Sequence, residues 1–458
     1  MKLTSIELKN FKCLVDMPSI SLRPLTILVG PNSSGKTSLI RWLLALSQTV
    51  KSRSAEFPLL TEGPLVQLGP FVDYVSFHER GRKLEFSFTV EYEYDETPEH
   101  LKGLVIGGAE VQPPPSQGEI TTTVTLKYNQ LRRQLNLVQA QFQVPLSDGP
   151  PAIIMLERYG PGDFRLHARF RDISWNCPRC RPVNCFSAQP MFADEQEVRQ
   201  NGGWSTLLFW IWEATKAALG NMIHLGPLRQ EPQRYYVTTG EAPADVGPQG
   251  EYAVSIMWLE SHKPRARRTG LLDWVDTCMK SLDMAENTEL KSIGAGLYNL
   301  TLRDPNVDTW ANLADVGFGV SQALPVVIQT AYAPDNSVLL IEQPEIHLHP
   351  RAQGAMADVL IAASQDKTLI VETHSEHVLD RIRRRIAEQE IATSQIAIYY
   401  FRPTPKGTEV NKVELNKLGQ FEPETWPPGF FQEDIEEARM HYEAIAKRES
   451  HDTTSSGR

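Results

Sequence analysis

Two hydrophobic periods alternate along this chain. Residues 25–29 (Leu-Thr-Ile-Leu-Val) are apolar at all but one position and end at Gly30-Pro31. A short apolar run closed by a turn dipeptide predicts a buried strand, and Leu3 to Leu8 reads as another before it. Then Leu39, Ile40, Leu43, Leu44 and Leu46 fall at helical spacing from Thr37 to about Val50, so the predicted order is strand, loop, helix. Between about Val66 and Tyr94 the alternation changes. Every second residue from Leu84 to Tyr92 is apolar, as a half-exposed antiparallel strand requires, and a β-rich subdomain begins there.

Residues 109–120, with Pro113 to Pro115, and the Pro/Gly-rich stretch from Asp148 to Pro151 read as loops or boundaries. Leu207, Leu208, Ile211 and Ala214 share one face of a buried helix predicted over 204–219. Past residue 295 short apolar runs alternate with helical segments: 338–341, 351–364, 368–371, 376–389 and 396–401. That order predicts an α/β unit with a mostly parallel sheet. Residues after about Lys447 hold nothing that packs and read as disordered.

At 458 residues, 41% hydrophobic and 22% charged, the chain suits a globular protein of two or three units. No stretch approaches the roughly 20 apolar residues of a spanning helix, and the start lacks an export signal, so a cytoplasmic protein without a membrane role is expected. A net charge of -10 repels nucleic acid at long range, so any such contact needs a local basic patch. Two runs qualify: Lys263, Arg265, Arg267, Arg268, and Arg381, Arg383, Arg384, Arg385. The plainer reading of each is a solvated loop or helix face.

Gly30-Pro31-Asn32-Ser33-Ser34-Gly35-Lys36-Thr37 matches the phosphate-loop pattern G-x-x-x-x-G-K-[ST], between a predicted strand and a predicted helix. Backbone amides from Asn32 to Ser38 would cradle phosphates, Lys36 would reach the β and γ oxygens, and the Thr37 hydroxyl would ligate Mg²⁺. The apolar run 338–341 delivers Glu342, Gln343 and Glu345 at its C-terminal end, where ligands of open α/β sheets gather. Glu342 is expected to complete the Mg²⁺ shell begun by Thr37.

Together with Asn312 to Gln322 (N-L-A-D-V-G-F-G-V-S-Q), these motifs resemble the ABC-type ATPases of the SMC/RecF-like group. The resemblance implies an α/β fold: an ABC-type P-loop ATPase head assembled from both chain ends around a large β-rich and helical insertion. The expected parts are residues 1–95 and 296–420 for the two lobes, 96–295 for the insertion and 421–458 for a C-terminal segment. ATP and Mg²⁺ are the implied cofactors. Gly317, Gly319, Ser321 and Gln322 look like the signature motif, which in this group caps the γ-phosphate of the opposite protomer in a head-to-tail dimer. Gln67 is similar to the glutamine that senses Mg²⁺ and attacking water, residues 347–350 resemble the D-loop, and His374 resembles the switch histidine.

More specifically, His224 to Arg229, Arg234-Tyr235-Tyr236, Ile341 to Glu345 and Trp426 to Phe431 look like the bacterial overcoming-lysogenization-defect-like ATPases. In such relatives Phe11 or Lys12 contacts adenine, and Arg229 and Arg234 either brace the nucleotide or form structural salt bridges. The resemblance implies a regulatory ATPase of an anti-phage system that controls a separately encoded effector such as a nuclease. The alternative is a DNA-repair or DNA-end-binding ATPase. Nuclease relatives carry a TOPRIM domain, for which too few residues follow Phe401.

One departure bears on turnover. Gln343 stands where many ABC ATPases have a glutamate, and an amide has no oxygen basic enough to accept a proton, so hydrolysis is expected to be slow unless Glu345 takes over. Finally, Cys177-Pro178-Arg179-Cys180 with Cys185 can present thiolates to a structural Zn²⁺, with His167 or a distant residue as fourth ligand. The other reading is three reduced thiols in a loop.

Overall fold

The computed structural model describes residues 1–52, 57–160, 163–238, 240–425 and Met440. The motif from Trp426 to Phe431 and the tail after Lys447 lie outside the described residues.

A six-stranded sheet carries the chemistry. Its spatial order is Met222–Leu225, Val338–Glu342, Thr368–Glu372, Leu25–Val29, Ile396–Thr404 and Gly407–Val413. The first five strands run parallel, and the sixth returns as a hairpin. Parallel strands are covered on both faces, which is why these segments read as continuous apolar runs. Alternate residues serve two cores: Leu339, Ile341, Leu369, Val371, Leu25 and Ile27 face one, while Val338, Leu340, Ile370 and Leu28 face the other. Helices Phe318–Tyr332, Pro350–Ala363 and Glu376–Ala387 contribute to the first core.

The second core lies between this sheet and a nine-stranded antiparallel sheet. Helix Lys36–Lys51 runs through it, with Leu39, Trp42, Leu43 and Leu46 fully buried. Trp42 meets Phe11 at 5.0 Å and Phe86 at 5.0 Å between ring centroids. Truncating such a residue costs roughly 3–5 kcal/mol. Helix Glu195–Gly220, expected over 204–219, packs against Lys36–Lys51 from the insertion side.

The α/β head is assembled from both chain ends, as expected, and it carries a large β-rich and helical insertion. The insertion is not detached at residue 95. Strand Lys83–Glu93 pairs on one side with Lys2–Phe11 and on the other, through eleven residue pairs, with Gln117–Asn129. The nine-stranded sheet therefore starts in the N-terminal lobe and continues to Ser187–Pro190. The stretch 109–120 is also not all loop, since Ala109–Val111 and Gln117 onward are strands that flank the prolines.

Candidate functional site

The phosphate loop follows the central strand directly. Gly30 (φ 140°) and Gly35 (φ 103°) lie in backbone regions that L side chains rarely adopt. A Cβ on Gly30 would sit 2.4 Å from the Phe401 carbonyl oxygen, and one on Gly35 would sit 2.6 Å from Cys13 Sγ. Gly35 begins helix Lys36–Lys51 without a side-chain cap, and no acid occupies the first turn, so the leading amides remain open to an anion. Asn32 and Ser33 are exposed, Ser34 is buried, and Thr408 Oγ1 holds the Ser34 carbonyl at 2.7 Å. Thr37 and Ser38 are half-buried at the helix start.

Lys36 is buried and ties the loop together, donating to the carbonyls of Gly30 at 3.0 Å and Pro31 at 2.9 Å. Burial lowers its pKa, which the charges of Glu372 and Glu345 partly offset. An ammonium held by neutral carbonyls is positioned for phosphate oxygens.

Three buried carboxylates end the neighbouring strand segments, and two of them, Glu372 and Glu345, act on Lys36. Glu342, Glu345 and Glu372 are each less than a tenth exposed. Glu345 Oε1 accepts the backbone N–H of His374 at 2.8 Å, while its Oε2 is buried without a hydrogen-bond partner. Burial raises the Glu345 pKa, outweighing the His374 amide, Thr373 and Arg229. His374 itself is solvent-accessible, but the covered part of its ring and the Lys36 charge keep its pKa below that of an ordinary imidazole. It is a neutral donor or acceptor at pH 7, as a contact to phosphate needs.

Thr37 and Glu342, which were expected to share a Mg²⁺ shell, are each bonded to a different side chain. Thr37 Oγ1 donates to Glu372 Oε2 at 2.8 Å, while Glu342 Oε1 is 2.7 Å from His224 Nε2. The cause is strand order. Strand Thr368–Glu372 lies between Val338–Glu342 and the phosphate-loop strand, so Glu372 is one strand from the loop and Glu342 is two, at about 4.8 Å per strand. Sequence reasoning missed Glu372 although the signal was there: an apolar run ending in an acid two residues before His374, the same pattern that marked Glu342.

It also left Arg229 undecided. Arg229 is buried, and its guanidinium donates to the carbonyls of Glu342 at 3.0 Å and Gln343 at 3.2 Å. Burial lowers its pKa to about 10 against the pull of Glu345 and Glu342. Gln343 lies at φ 45°, and Arg229 braces this turn while standing opposite Glu345. Arg234 instead forms an exposed two-pronged pair with Asp315.

The signature residues open helix Phe318–Tyr332, where Gly317 stands without a side-chain cap. Gly319 packs on the turn at His347: a Cβ there would be 2.8 Å from the His347 carbonyl oxygen, and the Phe318 and His347 rings meet edge-on at 4.9 Å. Ser321 is buried and donates to the Phe318 carbonyl at 2.8 Å, and Gln322 is buried with Nε2 unpartnered. The exposed face is Gly317 and Phe318, not the serine hydroxyl.

Phe11 is a correction. It is wholly buried against Trp42 and Tyr74, so it offers no face to adenine. Lys12 beside it is half-buried at φ 50°, and burial, with Arg41 nearby, lowers its pKa. Gln67 is exposed on a loop anchored by Gln48, a residue the sequence did not single out. Buried in the phosphate-loop helix, Gln48 bonds the Leu60 carbonyl at 2.7 Å and both the Val66 carbonyl and amide, at 3.2 and 3.1 Å.

The cysteines do not form a zinc knuckle. Cys177 and Cys180 both turn inward from strand Ile173–Val183, where the pairing shifts register, and Cys185 is fully buried beyond it. Burial pushes the Cys180 thiol up to about 12 and raises that of Cys185, which opposes the thiolates zinc requires. His167 bonds Asn176 instead, at 2.6 Å. Among the described residues no group of three or more His, Cys, Asp or Glu is placed to hold a metal ion by itself. Mg²⁺ differs, because it is commonly held by one or two carboxylates completed by substrate phosphates. The hard oxygen donors at the loop, including the unpartnered Glu345 Oε2, suit it.

The basic run on helix Glu376–Ala387 is neutralised. Arg381 and Arg385 pair with Asp358 at 2.6 and 2.7 Å, Arg383 with Asp380 at 2.8 Å and Arg384 with Glu388 at 3.3 Å. In the other run Lys263 pairs with Glu260 at 2.7 Å, and Arg268 bonds the Lys263 and Ser261 carbonyls.

Fold and phosphate loop together are those of a P-loop ATPase head whose α/β core is assembled from both chain ends. Residues 1–105 and 268–379 match the family model described as the AAA ATPase domain. No curated protein matches the sequence. Among solved structures the chain is similar to an SMC head bound to the C-winged helix domain of ScpA, at 14% identity and TM-score 0.40, covering 91% of this chain and 99% of that one. It is similar also to the SMC head domain from Thermotoga maritima, at 12% and 0.38, covering 91% and 100%. A third is the Smc head with an extended coiled coil bound to the C-terminal domain of ScpA derived from Pyrococcus furiosus, at 12% and 0.39, covering 97% and 99%. Among the described residues no helix is long and apolar enough to cross a membrane.

Proposed function

We propose that this chain is an ATP-driven switch: ATP with Mg²⁺ closes two copies head to tail, and slow hydrolysis reopens them. One observation carries the reading, the open helix start at Gly35 with Lys36 held against it and the carboxylates Glu345 and Glu372 within reach of its charge. A triphosphate supplies the anion this arrangement lacks. When bound, Mg²⁺ would neutralise phosphate charge, with Thr37 and the adjacent acids as its protein ligands. Lys36 then orients the phosphates, His374 stands at their edge as a neutral imidazole, and Glu345 offers a carboxylate oxygen to a water. Gln343 at the usual position of the base keeps turnover slow, so the closed state persists.

Closure has a route into the site. Gly319 packs on the His347 carbonyl, two residues from Glu345, so pressure on the helix start at Gly317 is felt by the acids. The changed surface is the output, read by a separately encoded effector in the anti-phage role that the resemblance implies. The paired arginines of 381–385 leave the DNA-binding alternative without a free basic face at that helix.

Light-scattering mass with and without Mg²⁺ and a slowly hydrolysed ATP analogue tests this. The wild type is expected to double in mass, Lys36→Ala to remain monomeric for want of nucleotide, and Gly317→Arg to bind nucleotide yet stay monomeric. Gly317 is the better probe than Ser321, since nothing lies within 4 Å of a Cβ there while Ser321 is buried. A wild type that binds nucleotide and never dimerises overturns the switch.

A further inference from the structure

Among the described residues, the three buried carboxylates of the site are matched by two buried cations. Glu372 feels the charges of Glu342 and Glu345, and the compensating groups are Lys36 and Arg229. A triphosphate would deepen that excess of negative charge. Glu345 Oε2 is buried and without a partner, an acceptor that nothing in the protein fills. Like charges in a buried site are relieved by protonation or by a cation, and the ion that travels with a nucleotide supplies the second.

The neighbours on either side divide the work among the acids. On one side of strand Val338–Glu342 lies Met222–Leu225, whose His224 holds Glu342 Oε1 at 2.7 Å. On the other side lies Thr368–Glu372, which pairs directly with the phosphate-loop strand and brings Glu372 to the Thr37 hydroxyl at 2.8 Å and to Lys36 at 3.8 Å. Of the three acids, Glu372 is therefore the one already bonded to the group that opens the metal shell.

We infer that Glu372, with Thr37, is the principal carboxylate for the divalent cation of a metal–nucleotide complex, and that Glu342 is kept in a secondary place by His224. The inference rests on the reading of this loop as a nucleotide site. Without the cation Glu372 acts the other way, since its charge beside Lys36 repels an incoming phosphate. A single residue thus opposes bare nucleotide and favours the metal complex, which makes the site selective for nucleotide that arrives with its ion.

Titration of a fluorescent ATP analogue, in EDTA and again in excess Mg²⁺, separates these effects. The wild type should tighten when Mg²⁺ is added. Glu372→Gln should bind at least as well as the wild type in EDTA but lose at least about tenfold of the Mg²⁺-dependent gain, a conservative floor for one lost charge contact. Glu342→Gln should keep the larger part of that gain. A purely structural role for Glu372 would weaken both titrations alike and overturns the inference, as does a Glu342→Gln loss equal to or larger than that of Glu372→Gln. Circular dichroism checks the fold. Should Glu372→Gln fail to fold, Glu372→Asp keeps the charge and draws the oxygens back by one methylene. It should then lose Mg²⁺ gain at unchanged EDTA affinity, and a full gain overturns the inference. A wild type that binds no ATP in either buffer sinks the proposed function as well, whereas a wild-type Mg²⁺ gain kept in full by Glu372→Gln sinks this inference alone.

Discussion

Replacing Arg229 with methionine keeps much of the side-chain volume and removes the charge. Two carbonyl oxygens, of Glu342 and Gln343, then lose donors at 3.0 and 3.2 Å, and Glu345 stays buried without its countercharge. Hydrogen bonds from charged donors contribute roughly 1.5–3 kcal/mol each, and breaking a buried pair costs about 3–5 kcal/mol. Burial already works against the guanidinium, whose pKa falls from 12.5 to about 10, so the lower end, about 3 kcal/mol, is expected. The pH dependence follows from the sign of that shift. A base whose pKa is lower in the folded state gains stability only as pH rises through the folded value, here about 10. Titration of the arginine itself therefore adds nothing between pH 6 and 9, and the cost of Arg229→Met should grow with pH over that range as Glu345, whose raised pKa Arg229 helps to hold down, is left an uncompensated buried anion. Urea unfolding followed by tryptophan fluorescence measures it, and Glu345→Gln in the same background should recover about 1–2 kcal/mol, because removing the stranded acid relieves part of the damage. A cost under about 1 kcal/mol, or strict additivity of the two substitutions, would refute the picture of Arg229 as brace and countercharge.

If Gln343 is what slows hydrolysis, Gln343→Glu should raise steady-state phosphate release at least about tenfold, given that a positioned base contributes roughly 10²–10⁴; no rise would remove that position from the account. Burial raises the pKa values of Glu345 and Glu372, and an acid with a raised folded pKa stabilises the fold below its unfolded value, near 4.5, and loses that contribution as pH climbs through the folded one. Melting temperatures of the nucleotide-free protein should then favour Glu345→Gln over wild type by a margin that widens from pH 5 to 8, and a constant margin contradicts the raised pKa. Exhaustive treatment with a zinc chelator should leave the melting temperature unchanged and metal analysis should find no stoichiometric zinc, since burial raises the Cys180 and Cys185 thiols against the thiolate form that zinc requires; a drop of several degrees would reinstate the metal.

Much of this protein was legible along the chain. The run 25–29, the Gly-Lys-Thr turn and the helix after it are local, and each needs only period and turn chemistry to be recognised. Strands 338–342 and 368–372 were visible for the same reason, and so were Glu342 and His374 at their ends. The cysteines stayed ambiguous because C-x-x-C spacing allows a knuckle or reduced thiols alike, and a register shift that lets a strand turn both thiols inward leaves no mark in the sequence. Phe11 misled because a residue next to a loop is exposed or buried according to what packs over it, here Trp42.

What only the tertiary structure decided is which acid serves which partner. Glu372 reaches Thr37 across 335 positions, His224 reaches Glu342 across 118, and Arg229 reaches Glu342 across 113. Each contact follows from the lateral order of strands. Hydrophobic period says that a segment is a buried strand but carries no information on which strand lies beside it, because that order comes from long-range pairing and from how crossover helices cover the sheet.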